Sequence, residues 1–193
     1  MGKADGLDGI PTCLLRLSFT FIAASLTHIF NLVISTGIIS KDWKSARVTP
    51  IFKADSKVDP ANYRPISVLS VIAKLFEKPS LIKYIHAYLN DSKLLSKFQS
   101  GFRPVYSTLT ALTDITENWY VNIDYGLTNA ILFIDLKKAF DTTDHEILLS
   151  KLELYGFKGA SLKLFRDYLS GRTQVTVIKN KNSETNFKNC GVP

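Results

Sequence analysis

The residues best suited to chemistry lie in one stretch, Asn129-Ala-Ile-Leu-Phe-Ile-Asp-Leu-Lys-Lys-Ala-Phe-Asp141. Its first part, Ala130 to Ile134, is a continuous apolar run rich in Ile and Phe, which predicts a buried strand. The run stops at Asp135, so a carboxylate would stand at the strand's tip. A carboxylate on rigid backbone of that kind is a common way to hold a metal ion or a reacting group. Lys137, Lys138, Phe140 and Asp141 follow at once. Asp144 then caps a helix over His145 to about Tyr155, and Gly156 closes it. Asp141 and Asp144 read as helix-start residues, Lys137 and Lys138 as solvated charges, and His145 as a packing or capping residue.

Other elements must position that stretch. The turn residues Gly6 to Pro11 lead into a helix from about Pro11 to Ser35, ended at Gly37. Its large residues, among them Leu14, Leu17, Phe21, Leu26, Phe30 and Val33, follow helical spacing and predict one buried face. Residues 43–52 alternate and carry β-branched side chains, which predicts a strand. The polar segment 54–65 holds Asp55, Asp59, Pro60 and Pro65 and predicts a turn between two extended pieces. The product is a β-hairpin with Lys53 and Arg64 near its two arms. Ser70 to Lys78 is helical in pattern until Pro79 stops or kinks it, and Leu81 to Leu89 forms another helix. Gln99 to Pro104 is a loop with Phe102 beside Arg103. Ser107 caps a helix over about 108–123. Gly159 to Leu169 is a further helix, Arg172 to Ile178 a strand, and Ser183 to Cys190 its candidate hairpin partner.

With 193 residues and 46% apolar side chains, the chain can bury a sizeable core. Its net charge of +7 is concentrated: residues 41–103 hold 12 Lys and Arg against 5 Asp and Glu, and the rest of the chain balances. Such a block is either a solvated basic face or a surface for a polyanion, of which nucleic acid is the commonest. Cys13 and Cys190 lie at opposite ends without metal-ligand spacing, which argues against a zinc site or a disulfide framework. Leu17 to Ile34 has no charged residue and reaches the length of a span, but Ser18, Thr20, Ser25, Thr27, His28 and Asn31 interrupt it. The expectation is therefore a core helix and no membrane. Asp5 and Asp8 near the start, and the lack of a basic region ahead of the apolar run, predict no signal peptide and an intracellular protein, cytoplasmic or nuclear.

An ordered series of short motifs runs through nearly the whole chain. It comprises Lys3-Ala-Asp-Gly-Leu-Asp-Gly-Ile-Pro11, Trp43-Lys44, Pro50-Ile-Phe-Lys53, Asn62-Tyr-Arg-Pro-Ile-Ser67 and Lys74-Leu-Phe-Glu77. Gln99-Ser-Gly-Phe-Arg103 with Ser107-Thr108, Phe133 to Asp141 with Asp144-His145, and Gly191-Val-Pro193 complete it. In this order the set resembles the reverse transcriptase of non-LTR (LINE-type) retrotransposons.

That resemblance implies an α+β fold of the right-hand polymerase type, with helices packed on small antiparallel or mixed sheets. Residues 1–40 would be an N-terminal helical extension, 41–128 a fingers-like part holding the basic block, and 129–193 a partial palm, with no thumb. It implies RNA-directed DNA synthesis on an RNA template and DNA primer from deoxynucleoside triphosphates, with two Mg²⁺ ions. Motif by motif, Asp135 would be the first metal carboxylate and the Leu136 backbone carbonyl a second oxygen ligand. Phe140 would lie under the incoming sugar and exclude a 2′-hydroxyl. Lys53 and Arg64 would reach the triphosphate, with Arg103 a weaker candidate for a nucleotide or template contact.

The sequence also departs from the family. It contains no Asp-Asp pair. Leu7 stands in place of a usual proline, and Pro79 falls where the family continues helix. The expectation is a truncated, catalytically inactive fragment. The alternatives are a nucleic-acid-binding remnant without catalysis and, disfavoured, a small protein anchored by residues 17–34. Nothing in the sequence fixes the oligomeric state.

Overall fold

The computed structural model describes residues 5–178, 181–183 and 186–188. In chain order the elements are α1 (Thr12–Thr36), a 3₁₀ turn (Lys41–Lys44), β1 (Ser45–Phe52), a second 3₁₀ turn (Pro60–Asn62) and β2 (Tyr63–Val68). Next come α2 (Val71–Phe76), a π-helical turn (Glu77–Ile82), α3 (Lys83–Asp91), α4 (Thr108–Asp124), α5 (His145–Leu154) and α6 (Ala160–Leu169). Strands β3 (Arg172–Ile178), β4 (Lys181–Asn182) and β5 (Asn186–Lys188) follow. The fold is a mixed α+β one, as the sequence predicts. It divides into two compact units, Met1–Lys83 with Lys138–Pro193, and Tyr84–Lys137.

Local signals set most element ends. Gly37 closes α1 in the left-handed region (φ 66°), and its N–H donates to the Val33 carbonyl at 2.9 Å. Ser70, Ser107 and Asp144 cap α2, α4 and α5 by accepting from the N–H of Ala73, Thr110 and Ile147. At α4 the cap is reciprocal, because Thr110 Oγ1 accepts from the Ser107 N–H at 2.9 Å. Pro79 does not stop the helix. It lacks an N–H to donate, and the chain passes it in a wider π turn before α3 resumes the α geometry.

The first unit contains the core. Val33, Ile39, Phe76 and Leu164 form one cluster, against which Phe30, Trp43, Leu81 and Tyr168 pack. The rings of Phe30, Trp43 and Phe76 are mutual neighbours, with centroids 5.4–5.7 Å apart. A second cluster joins Ala46, Leu69 and Ala73, also under Trp43. A Cβ at Gly37 would lie 3.1 Å from the Ala160 carbonyl and 3.2 Å from the Leu164 N, so glycine there lets α1 end directly on α6. Asp167 of α6 adds polar attachments: its Oδ2 accepts from the Ile39 N–H at 2.7 Å and from Lys44 Nζ at 2.8 Å. Lys44 is itself buried. Lys163 Nζ donates to the Thr36 carbonyl at 2.8 Å.

The sheet runs β2-β1-β3-β4, with β5 also on β3. β1 and β2 form the expected antiparallel hairpin, in register Ile51↔Arg64 and Phe52↔Tyr63. β1 and β3 are parallel, with Arg47 opposite Val175. β5 runs antiparallel to β3, as expected of a segment within 183–190.

Two expectations are corrected. α1 was expected to bury one face along its length, but only Leu26 and Val33 are buried, while Leu14, Leu17 and Phe21 are exposed. The reason is geometric: α6, Trp43 and Phe76 meet its second half. By length and composition alone α1 could cross a membrane. The run 130–134 was expected to be a buried strand. It has no regular secondary structure, and Leu132, Phe133 and Ile134 are each more than three-quarters exposed. Apolar composition permits a strand, but a strand also needs a neighbour for its N–H and C=O groups. None of the described strands pairs with these residues.

The second unit holds most of α3, the loop after it and α4. Neither helix has a buried residue. Its order comes from local hydrogen bonds. Asn122 Nδ2 donates to Asn129 Oδ1 at 2.7 Å, and Asn129 Nδ2 to the Trp119 carbonyl at 3.2 Å, which ties the end of α4 to the chain beyond it.

Candidate nucleotide and nucleic-acid site

The hairpin is the best-formed part of the candidate site. Its ladder extends past β1, because the Lys53 N–H donates to the Asn62 carbonyl at 2.9 Å. In an antiparallel pair, residues two apart share a face and lie opposite their partners. The register therefore puts Lys53 and Arg64 on the same face, diagonal to each other, with Ile51 directly opposite Arg64. Both side chains are exposed. Arg47, which sequence reading did not single out, lies on that face too. The signal for it was present in the alternation of residues 47, 49, 51 and 53.

The other face carries Phe52 and Tyr63, whose rings stand 5.5 Å apart. The connecting loop is held by its own polar groups. Tyr63 OH donates to the Lys57 carbonyl and Asn62 Nδ2 to the Ser56 carbonyl, each at 2.9 Å. Asp59 Oδ1 accepts from the Ala61 N–H at 2.8 Å. Two cations of opposite type, one compact and one forked, are thus presented on rigid backbone. That arrangement can hold a polyanion such as a triphosphate.

The remaining candidate residues fall in both units. Asp135 and Leu136 belong to the second unit and are exposed on irregular backbone, while Phe140 belongs to the first, in a turn begun by Lys138 at φ 54°. The stretch that sequence reading treats as one element is therefore divided at Lys137–Lys138. Asp144 caps α5, as expected, and its Oδ1 accepts from the Ile147 N–H at 2.9 Å. Among the described residues no three His, Cys, Asp or Glu side chains stand close enough to hold a metal ion. Asp135 with the Leu136 carbonyl does not fit a two-metal centre, which needs several hard oxygen ligands around each ion.

Arg103 is held within its own loop. Its Nη1 donates to the carbonyls of Ser96 (3.1 Å) and Gln99 (3.3 Å), and its guanidinium lies 4.3 Å from the centroid of the Tyr106 ring. It organises its own loop.

The perturbed titrations lie in the core of the first unit, away from the hairpin tip. Burial raises the pKa of Glu77, opposed by the hydrogen bond from Tyr168 OH at 2.9 Å and by the charges of Arg172 and Lys74. Burial also raises that of Tyr168 and lowers that of Arg172. Arg172 lies over the Tyr168 ring at 4.8 Å and donates through Nη1 to the Tyr168 carbonyl at 2.9 Å, while its buried Nη2 has no hydrogen-bond partner. This set joins the π turn to β3.

Residues 51–193 match the family described as reverse transcriptase (RNA-dependent DNA polymerase). The chain is 27% identical over 192 residues to the probable RNA-directed DNA polymerase from transposon BS of Drosophila melanogaster, covering 99% of this chain and 21% of that protein. It is 29% identical over 195 residues to the RNA-directed DNA polymerase from mobile element jockey of the same species, with the same coverage. A Pol polyprotein from the type-1 retrotransposable element R2 of Nasonia vitripennis is 27% identical over 186 residues, covering 92% of this chain and 17% of that protein. The chain thus spans about a fifth of the length of the curated relatives it matches.

Proposed function

From the premise that this chain belongs to the reverse transcriptase family of non-LTR retrotransposons, we propose that it is the nucleotide- and template-handling part of an RNA-directed DNA polymerase. Residues 1–40 are read as a helical extension, 41–128 as fingers and 129–193 as part of a palm. The reaction joins a primer 3′-hydroxyl to the α-phosphate of a deoxynucleoside triphosphate on an RNA template. Such transfer asks the protein chiefly for positioning and charge neutralisation. Lys53 and Arg64 supply both to the triphosphate. Phe140 sits beneath the sugar, where its bulk rejects a 2′-hydroxyl. Such chemistry uses Mg²⁺ ions, and Asp135 with the Leu136 carbonyl does not by itself make a site for them, so no metal step is assigned to this chain. The chain acts inside the cell, in cytoplasm or nucleus.

The observation that carries this reading is the common face of Lys53 and Arg64 on the β1–β2 hairpin. Binding of a fluorescent deoxynucleoside triphosphate tests it. K53A/R64A is expected to weaken binding at least tenfold, and unchanged binding would refute the assignment.

By itself this chain is expected not to extend a primer, because the sequence holds no Asp-Asp pair and the described residues gather no group of three His, Cys, Asp or Glu side chains able to hold a metal ion. Nucleotide incorporation by the isolated chain, with Mg²⁺ or Mn²⁺ on a homopolymer template, would overturn that expectation. A second reading, a nucleic-acid-binding remnant without catalysis, draws on the basic block 41–103. It predicts steeply salt-dependent RNA binding without nucleotide binding.

A further inference from the structure

The unpaired run 130–134 has a geometry that the polymerase reading does not use. From residue 127 to residue 136 the chain makes no helix, turn or bend, so it is extended. Residues 130–136 are all exposed, Leu132 at 83%, Phe133 at 86% and Ile134 at 76%. Among the described residues no main-chain hydrogen bond reaches residues 130–136 and no strand lies beside them. Asn129 anchors the start of the run to the end of α4, where Tyr120 and Tyr125 are exposed as well. An extended apolar segment with open N–H and C=O groups is a template for another strand.

The run's own sequence selects that strand. A two-fold antiparallel pair sets one residue opposite its own copy and the others in reciprocal pairs. With Leu132 on the axis, Ile131 faces Phe133, Ala130 faces Ile134 and Asn129 faces Asp135. All five apolar residues then meet apolar partners, and the carboxylate meets an amide. Moving the axis to Phe133 puts Asp135 against Ile131, and moving it to Ile131 puts Asn129 against Phe133. A parallel stack in register would set Asp135 on Asp135 and Lys137 on Lys137, and like charges directly opposite repel. Ile131, Leu132, Phe133, Ile134 and Leu136 together expose on the order of 700 Å², near the ~800 Å² that each partner gives to a standard interface.

We propose that residues 129–135 form a contact between two copies of this chain, an antiparallel strand pair with Leu132 on the two-fold axis. The proposal does not rest on the polymerase reading, since it uses neither Lys53 nor Arg64. Pairing gives the run the neighbour that makes a strand of it, and it takes from water the side chains that a single copy exposes. The charge clash between stacked copies disfavours open-ended growth, so the assembly closes at two.

Sedimentation velocity over a concentration series on the order of 1–100 μM tests this on the whole chain. The wild type should pass from monomer to dimer and stop there. L132K and L132E should each raise the concentration needed by about tenfold or more, because each sets like charges on the axis. An equimolar mixture of the two should dimerise again, since lysine then faces glutamate, a rescue that misfolded variants would not show. F21K, on the exposed part of α1, tests a different apolar contact and should dimerise like the wild type. A wild type that stays monomeric refutes the proposal, as do dimers that survive L132K and dissociate in F21K. A mixture of L132K and L132E that remains monomeric overturns the assigned axis. Species that keep growing with concentration would mean stacked strands and overturn the closed pair. Nucleotide binding at Lys53 and Arg64 is read separately, so none of these outcomes decides the polymerase reading.

Discussion

The two units are ordered by different means. In the first, residues far apart in sequence hold one another: Ile39 and Lys44 meet Asp167, Phe30 meets Trp43 and Phe76, and β1 pairs with β3. Every buried apolar residue among those described belongs to this unit. In the second, order is local. Ser107 caps α4, Arg103 gathers the carbonyls of its own loop, and Asn129 reaches back ten residues to Trp119. The same chain therefore holds one part by burial, where a side chain's worth depends on everything around it. It holds the other by short-range hydrogen bonds, where worth depends on a few neighbours.

Substitutions that differ only in which unit they strike sharpen this contrast. The largest effect should come from Phe76→Ala, which empties the most buried ring position of the core and should cost about 3–5 kcal/mol in chemical denaturation. Leu109→Ala on α4, a position 71% exposed, should change stability by no more than about 0.5 kcal/mol. Equal losses from the two would break the comparison. Asp167→Ala should follow at about 3 kcal/mol, since it strands the buried Lys44 ammonium and the Ile39 N–H. Its neighbour Arg166 pairs with Glu146 at 3.4 Å on the surface, and removing Glu146 should cost about 0–1 kcal/mol. Ser107→Ala should cost about 1 kcal/mol, read as faster amide exchange in the first turn of α4 with the first unit's protection unchanged.

The smallest effect concerns pH. Burial holds the folded pKa of Glu77 above its ordinary value, so its net contribution favours folding only while it is protonated. That contribution is lost as pH rises through the folded pKa. Glu77→Gln keeps an acceptor for Tyr168 OH and cannot ionise. It should therefore match the wild type in acid and be the more stable protein at neutral pH, as thermal melts at pH 4 and pH 8 would register. A melting curve that favours the wild type at pH 8 would show that the Arg172 charge outweighs burial.

The same division explains what could be read in the sequence. The ends of α1, α4, α5 and α6 and the β1–β2 hairpin were legible because each is written within a few residues. Gly37, Ser107, Asp144 and Gly159 act on their immediate neighbours, and the alternation of 45–52 is complete in itself. The face shared by Lys53 and Arg64 follows from the same local count. The run 130–134 was misread because a strand is a relation between two segments, and composition describes only one. Pro79 was misread in part, since a missing N–H fixes which bond is lost but not how the chain absorbs the loss. The attachments at Asp167 were invisible because no periodicity links it to Lys44. The motif Trp43-Lys44 is where such a link could have been suspected: Trp43 enters the core, and Lys44 is buried beside it.

The attachment of Ile39, Lys44 and Gly37 to α6 also sets a timetable. Residues that need one another are separated by up to 128 positions. At ribosomal rates of roughly 5–20 residues per second, α1 and β1 emerge on the order of ten seconds before α6 and β3 can receive them. Through that interval Trp43 and Phe76 lack the Leu164 and Tyr168 side that completes their cluster. This stretch is therefore at its most adhesive before α6 emerges, and holding chaperones should be recruited before residue 160 has left the tunnel.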